Sequence, residues 1–132
     1  MNKNFDPQLV ETILANAVKA GSVSNNVYKG QRPNTTDTKM ADFVVVSLSS
    51  NVTDLAALGR CTCRIELFAK NLSNGEKNGA KLSILYTKLR EVFPILDDTY
   101  LFDINPSIIP LGDDGYGYNV IAIQIQTLIK TL

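Results

Sequence analysis

The chain contains no histidine and no tryptophan, and only two cysteines among its 132 residues. Each absence removes a class of chemistry. Without histidine there is no ordinary general base, no imidazole metal ligand and no activator for a serine or cysteine nucleophile, so hydrolytic triads are excluded. Two thiols, Cys61 and Cys63, are too few for a structural zinc site, which takes four ligands. At strand spacing they point the same way, about 6–7 Å apart, too far for an unstrained disulfide, so core packing is their expected role. No phosphate-cradling glycine loop with its Lys-Ser/Thr is present, and the glycines of Gly112–Gly117 lead into a strand and not into a helix. Neither an enzymatic activity nor a cofactor is expected.

Long apolar runs are also missing, since nothing approaches the ~18 residues of a membrane span. The opening MNKNFDPQLVETILANAVKAG carries a helical pattern in place of a secretory apolar segment, which predicts a protein made and kept in the cytoplasm. Thirteen basic residues balance thirteen acidic ones, removing the general attraction to phosphate that nucleic-acid binders show. Neither nucleic acid nor membrane is therefore an expected partner.

What is present is an ordinary globular composition, 45% hydrophobic and 20% charged, over a length that suits one domain, residues 1–132. Asp6-Pro7 is a helix start: the carboxylate accepts from orphan amides, and proline is tolerated at the first helical position. Leu9, Val10, Ile13, Leu14, Ala17 and Val18 follow at helical spacing, and Gly21 is expected to supply the left-handed stop. Val27–Lys29 reads as a short strand, Gly30–Lys39 as a long polar loop, and Phe43–Leu48 as a central strand apolar on both faces. Arg60–Lys70 alternates, with Cys61, Cys63, Ile65, Leu67 and Ala69 on a core face and Arg60, Thr62, Arg64, Glu66 and Phe68 on a wet one. After the loop Ser73–Gly79, a helix runs from about Ala80 until Pro94 ends it. Tyr100–Ile104 and Ser107–Leu111 read as short strands, Gly112–Gly115 as a turn, and Tyr116 to about Ile129 as a long strand that is central or covered. The expected class is α+β: an antiparallel-rich sheet with two helices packed on one face, in the order α-β-β-β-α-β-β-β.

Asp97, Asp98, Asp103, Asp113 and Asp114 invite a metal reading, but their spacing fits no calcium loop and turn capping explains them better. Charge is uneven along the chain. Arg60–Arg90 holds seven basic and two acidic residues, whereas Glu91–Tyr116 holds six acidic and no basic ones. Laid on opposite flanks these segments would suit head-to-tail self-contacts; interleaved by the fold they would be ordinary solvated faces. The uncharged span Gly115–Ile129 would be a hazard on a free sheet edge, which predicts cover from a helix of its own domain or from a neighbouring subunit.

One stretch carries a resemblance. Val27–Pro33 (VYKGQRP), followed by the polar loop and the apolar strand and set in this order of elements, resembles the tail-terminator or tail-completion proteins of tailed phages and prophages. The resemblance implies a virion-assembly protein that forms a hexameric ring, caps the tail tube and offers a docking surface to the head connector. Its partners would be itself, the tube protein and connector or stopper proteins; its place would be the tail–head junction of the virion, after assembly in the bacterial cytoplasm. A connector, stopper or minor tail protein is the alternative within such a machine, and an unrelated small bacterial ligand-binding domain the alternative outside it. No catalytic residue follows from the resemblance. The candidate contact residues are Tyr28, Lys29, Gln31 and Arg32 around the first loop, Arg60 and Arg64 on the wet strand face, and Lys77 in the second loop.

Overall fold

The computed structural model describes residues 2–33 and 40–130. Its first helix, α1 (Pro7–Ala20), starts as its chemistry dictates: the Asp6 carboxylate accepts from the Gln8 amide at 3.0 Å, with Pro7 in the first turn. The helix buries Val10, Leu14, Ala15 and Val18. Its end departs from the expectation. Gly21 has φ −77°, and the left-handed position is taken by Ser22 at φ 56°. What position 21 requires is space, because a Cβ there would lie 2.4 Å from a methyl carbon of Val92, the last residue of the second helix, α2 (Gly79–Val92).

Among the described residues seven strands form one sheet: β1 (Val27–Lys29), β2 (Asp42–Leu48), β3 (Thr53–Asp54), β4 (Leu58–Lys70), β5 (Ile95–Leu96), β6 (Tyr100–Asp113) and β7 (Tyr118–Lys130). Their order is β1-β2-β4-β7-β6-β5, with β3 against the start of β4. Only β1 and β2 run parallel; the other pairs are antiparallel. This is the expected α+β arrangement. The segments read as two strands, Tyr100–Ile104 and Ser107–Leu111, run together as β6, with register breaks between Ile104 and Ile108 and between Pro110 and Gly112. Prolines are tolerated on an edge strand because a missing amide there breaks no ladder.

Strand alternation sorts the side chains into two layers. On one face Val44 and Val46, the odd-numbered residues Cys61 to Ala69, and Ile123, Ile125 and Ile129 join Phe102 and Tyr100 under both helices in one continuous core. The amphipathic period of each helix can be satisfied only against this face, so both lie on it. Gly59 lets the chain start close: a Cβ there would meet the Phe5 ring at 2.5 Å.

Cys61 and Cys63 sit in this core, 2% and 0% exposed. Thr127, the buried polar residue beside them, donates to the Cys63 sulfur at 3.5 Å. The hydrogen bond with Cys61, reinforced by burial, pushes the Cys63 thiol well above the ordinary range, which keeps it protonated.

The span Gly115–Ile129 does not form an edge. Its strand β7 is paired along its length, with β4 on one side and β6 on the other.

Candidate functional site

The second face of the sheet carries no helix among the described residues, and its two halves differ. The half of the sheet near the end of β4 holds a small apolar cluster, Phe43, Val45, Phe68, Tyr118 and Val120, flanked by Tyr28 and Met40. Phe43 stacks on Phe68 at 4.2 Å between centroids and meets Tyr118 edge-on at 5.0 Å. Tyr28 closes the side of the stack, 6.1 Å from Phe43 and nearly perpendicular to it. Tyr118 donates to the Met40 carbonyl at 2.8 Å, holding the far root of the first loop against the cluster. This corrects the sequence reading of a wet face: Phe68 is 4% exposed, because Phe43 on β2 and Val120 on β7 register directly beside it and Tyr118 joins the same cluster.

Arg32 lies across the top of this cluster. Its guanidinium is 5.6 Å from the Phe43 ring centre, 5.2 Å from Phe68 and 4.9 Å from Tyr116. One of its nitrogens reaches Asp114 in the β6–β7 turn at 2.7 Å. The cation thus caps aromatic faces whose quadrupoles attract it, while the carboxylate supplies the countercharge. Asp114 is well placed to do so, because its other oxygen already accepts from the amides of Tyr116 and Tyr118 at 2.7 and 3.1 Å. The loop root and the hairpin tip, 82 residues apart in sequence, are locked together by one side chain.

Beyond the cluster the face is wet, as read. Arg64 reaches Glu66 at 3.5 Å, a long contact between partly exposed groups, and its buried Nε makes no hydrogen bond among the described residues. Arg60 is exposed on the same face. A shallow hollow of about 150 Å³ lies beside Arg64, bounded by Ser49, Ser107, Ile109 and Gln124.

Of the residues singled out from sequence, Tyr28 and Arg32 come together on the aromatic cluster, and Arg60 and Arg64 share the wet half of the face. Lys29 turns instead toward α1, donating to the Thr12 hydroxyl at 3.2 Å. Gln31 is exposed beside Arg32, and Lys77 is exposed in the loop before α2. Positions 34–39 of the first loop lie outside the described residues. Sequence reasoning missed the partners Asp114, Phe43 and Tyr116. The available signal was Phe68, an aromatic residue on the polar side of an alternating strand.

Three of the five aspartates, Asp97, Asp113 and Asp114, cap turns. Asp97 accepts from Thr99 and Tyr100 at 2.8 and 2.6 Å, and Asp113 from Gly115 at 2.7 Å. They lie at the two ends of β6 and not on a single flank.

No family model and no curated protein matches this sequence. Solved structures do share its fold. One, which carries no functional description, superposes with a TM-score of 0.63 at 12% identity, covering 100% of this chain and 98% of the other. A second comes from the virion of a native gene transfer agent particle, with a TM-score of 0.57 at 11% identity, covering 92% of this chain and 90% of the other. At such identities the likeness is one of fold.

Proposed function

We propose that this chain is a structural subunit of a phage-type virion, and within it a tail-terminator-like protein that assembles as a ring, caps the tail tube and presents a surface for head connector proteins. The observation that carries the reading is the shared fold, over nine-tenths of both chains, with a component of a gene transfer agent virion. The VYKGQRP segment and the order of elements support it independently. So does the chemistry: Arg32 and Asp114, the charged pair at the aromatic cluster, hold the loop root and the hairpin tip together, an arrangement suited to presenting surfaces. On this reading the protein acts at the tail–head junction.

The test is co-assembly. Mixed with a tail-tube protein, the purified chain is expected to cap tube ends as closed rings in negative stain and to stop tube growth. Binding to connector proteins without binding to tubes would move the chain to a connector or stopper role. Failure to associate with either, or turnover of a small substrate that is lost when one carboxylate is neutralised, would overturn the proposal.

A further inference from the structure

The far part of β6 is apolar on both faces, and its side chains are half-exposed on each. Ile108, on the helix side, is 43% exposed; Ile109 and Leu111, on the open side, are 51% and 45% exposed. Among the described residues the outer edge of β6 is also unpaired beyond Phe102, since β5 pairs only with Leu101 and Phe102. Such an edge would ordinarily recruit another strand. Here Pro106 and Pro110 lack the amide hydrogen a ladder needs, and two register breaks disturb the strand. Prolines and bulges are the devices that stop strand addition. The hairpin is therefore closed to backbone pairing and open to side-chain docking.

Its charge selects the kind of partner. From Val92 to Ile129 the chain has five aspartates and no basic residue. Asp97 and Asp98 precede β6, and Asp114 is neutralised by Arg32; the remaining two, Asp103 and Asp113, are exposed on either side of the apolar segment. The complementary pattern exists on this same molecule. On α2, Ile84 is 49% exposed, and Lys88 lies one turn beyond it on the same stripe. Lys88 forms no ion pair among the described residues, whereas Lys81 is held by Asp42 at 2.9 Å. Ile84 faces away from its own hairpin: the α2 residues that line the groove against Ile108 and Ile121 are Leu82, Ser83, Tyr86 and Thr87. The first patch is an apolar strand segment flanked by aspartates; the second is one exposed isoleucine with a lysine a turn beyond it and Glu91 beyond that, and the two occupy different surfaces.

We propose that the Ile109–Leu111 hairpin of one copy docks on the Ile84–Lys88 surface of α2 in the next. The inference deepens the ring reading and rests on it. Because the two patches differ, the contact is head-to-tail, the kind that propagates from copy to copy and closes into a ring when the rotation allows. A few half-exposed aliphatic side chains with a charged rim make a small interface, at the weak end of specific contacts. Single contacts should then be weak, and closure should stabilise the ring.

The experiment uses sedimentation velocity on the purified chain up to millimolar concentration, with circular dichroism to confirm folding. The wild type is expected to associate with increasing concentration. The double variant Ile109→Asp/Leu111→Asp and the variant Ile84→Asp should each stay monomeric where half of the wild type is associated. Mixed together they should form a 1:1 dimer and nothing larger, because each supplies the patch the other lacks. Asp113→Lys and Lys88→Glu should each weaken association about tenfold, and their combination in one chain should restore much of it.

Variants that assemble as well as the wild type would overturn the assigned patches and leave the ring reading standing. The same holds if the folded, monomeric variants fail to pair with each other. A wild type that stays monomeric at millimolar concentration would overturn the docking itself, while the tube-capping test would still judge the ring reading separately.

Discussion

The two faces of the sheet are built from the same strands yet are held by different forces. The helix-side face is an apolar layer in which two helices, six strands and the opening turn, Lys3–Phe5, share one core. Among the described residues the open face keeps one small apolar cluster, five buried residues at one end, and secures it with a cation shared between three rings and a carboxylate. The first face specifies the fold through volume. The second fixes where a loop and a hairpin tip sit on that fold, through charge and geometry. Surfaces that must meet a partner are better served by the second kind of bond, which can be adjusted without repacking a core.

The largest expected effect lies on the helix side. Phe102 is fully buried, so Phe102→Ala removes its burial and leaves a cavity, costing about 3–5 kcal/mol, with the loss read as a lower urea midpoint. Phe43→Ala, the same deletion in the open-face cluster, should cost less, because that cluster is thin and can close up more readily. Equal losses at the two sites would remove the distinction drawn between the faces.

Overfilling the first face comes next. Gly59→Ala would drive a methyl group into the Phe5 ring, whose nearest atom would lie at 2.5 Å, and should destabilise by about 1–3 kcal/mol. Phe5→Leu in the same chain should recover part of the loss by vacating that space. Without such recovery, the role given to the close approach would be wrong.

The contrast also explains how far the sequence could be read. Alternation along β4 and β7 and the Asp6-Pro7 start are local signals, and they predicted the sheet, the helices and their common side. Gly21 was legible as a helix end but not as the site where α1 meets Val92, since a glycine chosen for space and one chosen for positive φ look alike in sequence. The Arg32–Asp114 lock joins residues 82 positions apart, and nothing local announces which carboxylate a loop arginine will find. Arg32 was legible as a residue of interest from its segment alone; its partners came from topology, which sets β7 beside β4 and so brings the hairpin tip to the loop.

Breaking that lock gives the third prediction. Arg32→Ala should cost about 1–2 kcal/mol, combining cation–π contacts with a partly buried ion pair. Because the pair is electrostatic, the difference from wild type should shrink as salt is raised. Arg32→Lys should recover only part of the loss, since a point charge cannot lie flat on three rings. A loss that salt leaves unchanged would reassign Arg32 to plain packing.

The smallest effect distinguishes the faces by pH. Tyr100 seals the opening turn against the helix-side core, its hydroxyl donating to the Asn4 carbonyl at 2.9 Å. Burial, with the nearby Asp97 and Asp6 carboxylates, raises its ionisation above the ordinary phenol value. The sign follows from which state holds the proton. In the unfolded chain the phenol ionises near pH 10, while the folded chain keeps its proton to higher pH, so the stabilisation is complete below about pH 10 and declines as pH rises past it. Tyr100→Phe should therefore cost about 0.5–1.5 kcal/mol at neutral pH, the worth of one hydrogen bond, and its deficit against wild type should narrow above pH 10. Cys63 pushes the alkaline slope in the same direction but is present in both proteins, so it largely cancels from the comparison. A deficit that stayed constant from pH 8 to pH 11 would mean that the hydroxyl is not held as a donor, and that the seal at this end of the core rests on the ring alone.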